Sequence, residues 1–454
     1  MNTEELRTPL GEKWLTTMDN DLLVVGAGIM GVASAYHLKK NNPNKDVLLI
    51  DRFPSPAQGN TGRSNAMFRN TFSSRDNQIL SDASIDFYLH LQNELEIDIG
   101  LQPIGYLWLM SDGQLSASEP FLKQMERNRI EIRRLPREEV KRLLPGLEMS
   151  FESNDEAMLM DLPRIDGGVF GPKCGRLDPD KLVRFYAQEF SQMGGRVAFN
   201  TNAEKLLVGP SKRLGLDGEP FVWQDSRIEG VQVSGSMTGE LRAETIVLAC
   251  GAWGNELLEP IGIDGHVKAK KRQLFTVPAK GSDRLEALVR TEGFNPLGLL
   301  PLVILPKARV HFKPVSTENE FWIACEDEVN RPYIDIPAHD LEGYKAEMDF
   351  YDTSVRPVLS AYFPDFRNAR VKAMWAGLYS YNTLDFLPFA FRENNLIVVG
   401  GDSGSGIMKG DSLGRIVDAL YRGEDDALLY GDRPVRTSKI GFEKRDVERE
   451  EWVI

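Results

Sequence analysis

The sequence predicts an α/β protein in two parts: a parallel-sheet domain assembled from separated stretches of chain, and a mixed-sheet domain inserted into it. Three observations predict this. Short apolar runs at residues 22–25, 46–51, 244–249 and 396–400 have the pattern of strands buried on both faces. These runs stand near the start, the middle and the end of the chain. Between residues 265 and 335, β-rich pieces such as 273–277 and 320–324 alternate with turns, as half-exposed antiparallel strands do.

The elements follow in order. The run at 22–25 leads into Gly26-Ala27-Gly28 and a helical stretch, 29–40, that ends at the breaker Asn-Asn-Pro-Asn; a second buried strand follows at 46–51. This is a β-α-β unit of about 30 residues. A helix is predicted over 78–95, a strand over 105–110, and charged helical segments from 116 to 147. Another helix, 179–193, is opened by the acids of Leu177-Asp178-Pro179-Asp180. Strands at 196–200 and 244–249 precede a helix over 340–355, which should stop short of Pro357 because proline lacks the N–H a helix needs. The last pair is the strand 396–400 and a helix over 411–421, joined by a glycine-rich turn. On this reading 1–20 is an N-terminal extension, and 21–103, 165–255 and 371–430 build the nucleotide-binding domain. Residues 104–164 and 256–370 build the inserted substrate domain, and 431–454 form a charged tail.

The 454 residues, 42% apolar and 27% charged, suit a globular protein with one or two complete cores. A net charge of −13 argues against nucleic acid or an anionic membrane as the main partner, since both select basic faces. A small anionic substrate needs only one or two local cations and is not disfavoured. Cys174, Cys250 and Cys325 form no Cys-x-x-Cys pair, which points to a reducing compartment. The five histidines are scattered, so no dedicated metal site is expected. The polar N-terminus lacks the basic and apolar regions of a signal peptide, and no apolar run approaches the ~20 residues that span a bilayer. The expected location is the cytoplasm.

Chemistry is concentrated in three glycine turns. In Gly26-x-Gly28-x-x-Gly31, the first glycine permits a tight turn, the second lets a pyrophosphate approach the backbone, and the third lets helix pack on strand. The helix N-terminus offers N–H groups to phosphate, and Asp51, 20 residues after Gly31, stands where an acid accepts ribose hydroxyls. This is the fingerprint of a Rossmann-like dinucleotide-binding fold. Gly59-Asn60-Thr61-Gly62-Arg63-Ser64-Asn65-Ala66-Met67-Phe68-Arg69 adds small residues and two guanidinium groups, suited to a cofactor that extends past its pyrophosphate. Gly400 to Lys409 repeats the strand–turn–helix logic and aims positive charge at whatever lies there.

These segments resemble the D-amino acid oxidase superfamily of FAD enzymes, most closely the branch of sarcosine oxidase β subunits and dye-linked L-proline dehydrogenases. The likeness runs from Asp21 to about Gly423. It rests on VVGAGIMG at 24–31 with Asp51, GNTGRSNAMFR at 59–69, GYLWL at 105–109 and GRLDPDKL at 175–182. IVLACGAW at 246–253, WAGLYSYNTLD at 375–385 and GGDSGSGIMKGDSLG at 400–414 complete it. It implies a discontinuous Rossmann-like FAD-binding domain with an inserted mixed-sheet substrate domain roofing the flavin. Cofactor contacts are implied at Gly26, Ala27, Gly28, Ile29, Met30 and Gly31, at Asp51 and Arg52, and at Asn60, Thr61, Gly62, Arg63, Ser64, Ala66 and Met67. Further contacts fall at Ala203, Cys250, Gly251 and Trp253, with Cys250 a buried residue and no nucleophile, and at Gly404, Ser405, Gly406, Ile407, Met408 and Lys409.

For catalysis the resemblance implies Arg69 as the binder of a substrate carboxylate, with a structural ion pair to an acid as the alternative. The family's second carboxylate-binding lysine falls on Met408; Lys409 lies one residue later and is expected on the flavin side. Tyr379, Tyr381 and Asn382 either line the substrate pocket or pack as aromatic core. Gly377-Leu378-Tyr379 carries no cysteine where some relatives tether FAD, so attachment is expected to be non-covalent. The implied reaction is hydride transfer from an amino acid or secondary amine, L-proline or sarcosine in kind, to flavin N5. A 2-hydroxy-acid or glycerol-phosphate dehydrogenase and a flavin-binding assembly factor are the alternatives. Oxygen, a quinone, a dye or a partner flavoprotein are left open as electron acceptor, with a lean toward a dehydrogenase; a homo-oligomer is also left open. The charged tail ends in Trp452-Val453-Ile454, which suggests docking onto the body or a neighbouring subunit, over the active-site entrance.

Overall fold

The computed structural model describes residues 18–326, 332–334 and 345–452. Two eight-stranded sheets dominate it. In the first, β1 (Met18–Val25) pairs in parallel with β2 (Val47–Ile50) and with Gly239–Leu248. Arg196–Ala198 and Leu396–Gly400 extend this parallel core on either side. Residues 22–25, 47–50 and 246–248, the central stretches of these strands, are apolar because helices cover one face and a second apolar cluster covers the other. α1 (Ile29–Asn41) packs against Gly410–Arg422 on the helical face.

The second sheet takes Ala373–Asn382, Val267–Pro278, Glu320–Ala324, His311–Val315, Leu302–Ile304, Tyr106–Met110, Gly167–Gly171 and Arg133–Pro136 in that order. Only the Leu302–Ile304 and Tyr106–Met110 pair is parallel, so the sheet is mixed. Gly167–Gly171 and Ala373–Asn382 pair here although 165–255 and 371–430 were expected in the nucleotide-binding domain. Backbone pairing across the fold, which no local pattern records, sets their membership.

Two helical expectations are corrected. The segment 116–147 is helix Asp112–Arg127, then strand Arg133–Pro136, then helix Arg137–Leu143. Its middle is claimed by pairing with Gly167–Gly171, which overrides a charged, helix-like composition. Nor does the later helix stop before Pro357. A widened turn at Tyr351–Val355 leads directly into the helix Arg356–Tyr362, and Pro357 stands at this junction, where the regular α-helical hydrogen-bond ladder it cannot join is already interrupted. Residues 340–344 lie outside the described residues.

The sheets meet where Ala373–Asn382 runs against the turn after Leu396–Gly400. Tyr381 bridges Asp402, the Ser403 N–H donates to the Ser380 carbonyl at 2.9 Å, and the Ser380 hydroxyl donates to the Asp402 carboxylate. The seam is built from both domains, and two adjoining cavities open along it.

Candidate active site

The first cavity is a cleft of about 1180 Å³ of empty space, part of it open to solvent. All three glycine turns reach it: Gly26, Gly28, Ile29 and Met30 from the first, Asn60, Thr61 and Ser64 from the second, Gly404, Gly406 and Ile407 from the third. Gly26 sits at φ +104°, and a side chain there would meet the Ala249 carbonyl oxygen at 2.5 Å. A Cβ on Gly31 would lie 1.7 Å from the Gly26 carbonyl oxygen, so this helix–turn contact requires glycine. A Cβ on Gly28 would meet only the Thr61 hydroxyl, at 3.2 Å, and otherwise point into the space of the cleft.

Asp51 lines the cleft, but its carboxylate already accepts the Ala27 N–H at 2.6 Å and the Phe53 N–H at 2.8 Å. Burial raises its pKa, and those two N–H donors oppose the shift. At the far end Ala203, Gly251 and Trp253 form the wall, with the Arg52 guanidinium 4.3 Å from the Trp253 ring. Cys250 lines the same end, its thiol pushed up to about 12 by burial and unreactive at neutral pH.

Several expected contacts do not reach the cleft. Ala27, Gly31 and Gly62 hold the turns together, a Cβ on Gly62 meeting the Ala57 carbonyl oxygen at 2.3 Å. Arg63 lines a smaller neighbouring cavity, while Ala66, Met67, Ser405 and Met408 face the second cavity. The Asn65 side-chain oxygen, also in that wall, is buried with no hydrogen-bond partner among the described residues.

The second cavity shares Ser64, Tyr379, Gly404 and Ile407 with the first, so a ligand there abuts one in the cleft. Arg69 forms part of its wall. The guanidinium is buried, lies 4.0 Å from the Phe72 ring, and donates to the carbonyls of Thr71 at 2.6 Å and Trp452 at 2.8 Å. Two of its five N–H groups are thus used on backbone, and no acid among the described residues is hydrogen-bonded to it. Burial lowers its pKa, and the Glu450 carboxylate opposes that shift.

Lys409 lines neither cavity. Its fully buried ammonium donates to the Asn77 side-chain oxygen and to the Ser405 hydroxyl, both of which line the second cavity. It therefore lies behind the wall of the second cavity, because Asn77 on helix α2 (Arg75–Asn93) supplies its partner. Burial lowers its pKa to about 7; Glu450 and Asp402 raise it and Arg69 lowers it further.

Tyr379 stands where the cavities join, its phenol held protonated by burial, which raises its pKa to about 12. The Tyr381 hydroxyl accepts from Arg272 at 2.7 Å. Asn382 turns away to Asp385 and the Leu387 carbonyl. His311, its pKa lowered to about 4 by burial, is neutral in the same wall.

Sequence reasoning missed Asn77, Arg272, His311, Lys313, Glu326 and Glu450. Lys313 is buried and donates to the Asn65 carbonyl, and among Lys307, Arg309 and His311 nothing local marks it out. Nothing local distinguishes Glu450 from the acids around it.

Glycine turns that hold an extended cleft, joined to a small pocket walled by a buried arginine, define a dinucleotide-dependent oxidoreductase. The described residues contain no helix long and apolar enough to cross a membrane. The chain belongs to the FAD dependent oxidoreductase family (DAO), whose model matches residues 21–420. FAD is its cofactor, and the cleft fits it: three glycine turns converge on it, Gly26, Gly31 and Gly62 are required by backbone contact, and a Cβ on Gly28 would fill cleft space.

Among relatives, FAD-dependent oxidoreductase domain-containing protein 1 of Xenopus laevis is 26% identical over 431 residues, 91% of this chain and 81% of that protein. Sarcosine oxidase subunit beta of Rhodobacter capsulatus is 26% identical over 285 residues, 61% of this chain and 65% of that one. The crystal structure of L-proline dehydrogenase from P. horikoshii superimposes with a TM-score of 0.70 at 19% identity, covering 90% of this chain and 95% of that one. Glycine oxidase from Geobacillus kaustophilus gives 0.68 at 19% identity, over 90% and 96%. At these identities the two structures support the fold.

Proposed function

We propose that this FAD enzyme oxidises a small carboxylate-bearing amine, an α-amino acid or secondary amino acid of the L-proline or sarcosine kind, to its imine. The observation that carries this reading is Arg69, a buried guanidinium in the wall of a small cavity that adjoins the cofactor cleft. When bound, FAD supplies the two-electron acceptor. Arg69 binds the carboxylate with its remaining N–H groups and fixes distance and angle, as a planar guanidinium does. Tyr106, Tyr379 and Tyr381 wall the cavity and exclude water. An amine must lose its ammonium proton before it is oxidised. With its pKa near 7, Lys409 accepts that proton through the Ser405 hydroxyl. The names of the sarcosine oxidase and proline dehydrogenase relatives support the substrate class.

The experiment is anaerobic bleaching of the flavin band by a panel containing L-proline, sarcosine, glycine and L-2-hydroxyglutarate. Bleaching by one of the first three is expected. Bleaching by the hydroxy acid alone, or by no member of a full amino-acid panel, overturns the reading.

Lys409 also predicts a pH dependence of stability. Its folded pKa lies below the ~10.4 of a free lysine, so between the two values the unfolded chain holds more protons. The penalty of burying the ammonium is complete below about pH 7 and relieved as pH rises through that window. Replacing Lys409 with methionine should remove this contribution. Measured as Tm at pH 6.5 and 9, the gain of the variant over the native chain should be largest at pH 6.5. A gain independent of pH would show that Lys409 stays charged throughout.

A further inference from the structure

The tail beyond residue 440 is highly charged, and Glu450 is 4% exposed and Trp452 7%. Arg445 anchors this segment with a two-pronged ion pair to Asp385, at 2.6 and 2.7 Å, and the Glu450 N–H donates to the Asp385 carbonyl at 3.1 Å. The Glu450 carboxylate then accepts from the Ser73 N–H and hydroxyl, both at 2.8 Å, the Ser74 N–H at 3.1 Å and the Asn77 amide at 2.9 Å. Trp452 packs edge-on to Trp108, ring centres 5.6 Å apart, which locks the chain's direction.

We infer that residues 445–452 are a strap that completes the substrate pocket, with Glu450 and Trp452 as positioning residues for Arg69 and Lys409. The inference rests on the carboxylate-binding role proposed for Arg69. Both cations meet the strap, one step removed in the case of Lys409. The Trp452 carbonyl accepts from Arg69 and so fixes the rotation of the guanidinium plane. The Asn77 amide donates to Glu450 while its oxygen accepts from Lys409, so the carboxylate decides which way the amide faces. Glu450 itself lines the cavity and is the acid nearest in effect to both cations, with Asp402 beyond Lys409. Without it, Arg69 and protonated Lys409, 4.0 and 4.6 Å from the Phe72 ring, would have less to offset their repulsion.

The test uses the full-length, FAD-loaded protein and pyrrole-2-carboxylate as probe, with binding read from its perturbation of the flavin absorption band. E450Q and a chain ending at Arg449 are compared with the native chain. Flavin content should stay unchanged while the probe's Kd rises at least about tenfold, the effect of losing charge-assisted hydrogen bonds. Val231→Ala, a core truncation in the first domain, controls for general loss of stability and should lower Tm without moving Kd. A Kd for E450Q within about twofold of native, or a rise in Kd for V231A equal to that of E450Q, overturns the inference. If the truncated chain does not fold, E450Q alone decides by the same criterion. Failure of the native chain to bind the probe instead overturns the carboxylate reading beneath it, and so separates the two.

Discussion

Replacing Gly31 with alanine is expected to give a chain that neither holds FAD nor reaches native stability. An alanine for a glycine inside a helix ordinarily stabilises by about 1 kcal/mol. Here the new Cβ would sit 1.7 Å from the Gly26 carbonyl oxygen and 2.8 Å from its carbon, and both are backbone. The clash can be relieved only by moving α1 off β1, and overpacking of this kind costs about 3 kcal/mol or more, which outweighs the helical gain. Gly28→Ala should separate the two roles, since its Cβ would meet only the Thr61 hydroxyl at 3.2 Å and would occupy cleft space. The G28A chain should keep a Tm near that of native apoprotein and lose FAD affinity. Flavin-to-protein ratio and Tm of both variants are the measurements. A G31A protein with native Tm would remove the close approach from the account.

Arg69→Ala should retain the yellow chromophore and raise KM for the responding carboxylate substrate by roughly a hundredfold, the ~2–5 kcal/mol of a truncated buried charge pair. The loss has two sources. The substrate carboxylate loses its partner, and the Thr71 and Trp452 carbonyls lose their donor. Arg69→Lys should recover little, because one ammonium cannot reach two carbonyls and a carboxylate in the geometry of the planar fork. Steady-state kinetics with flavin content measured on the same samples decides. Unchanged KM in R69A would remove Arg69 from the substrate site.

Much of the fold was legible because its signals are short-range. The β1-turn-α1 unit announces itself within ten residues: an apolar strand, then glycines that only a tight turn and close packing require. The turns around Asn60 and Gly404 were readable for the same reason, and they converge on the cleft. The strand Arg133–Pro136 was not legible, since what makes it a strand is a partner over 30 residues away. The direction of Lys409 was equally hidden, being set by Asn77, 332 positions earlier.

The amino-acid sequence by itself determined the strand–turn–helix unit that lines the cleft, because glycine spacing and buried strands act through backbone sterics within one supersecondary unit. Only the tertiary structure decided what surrounds the second cavity. Glu450 reaches Ser73 across 377 positions, and Arg69 reaches Trp452 across 383. A charged residue in a polar segment looks solvated until the fold places opposite it the group whose charge it offsets, and that placement is a property of the packed chain.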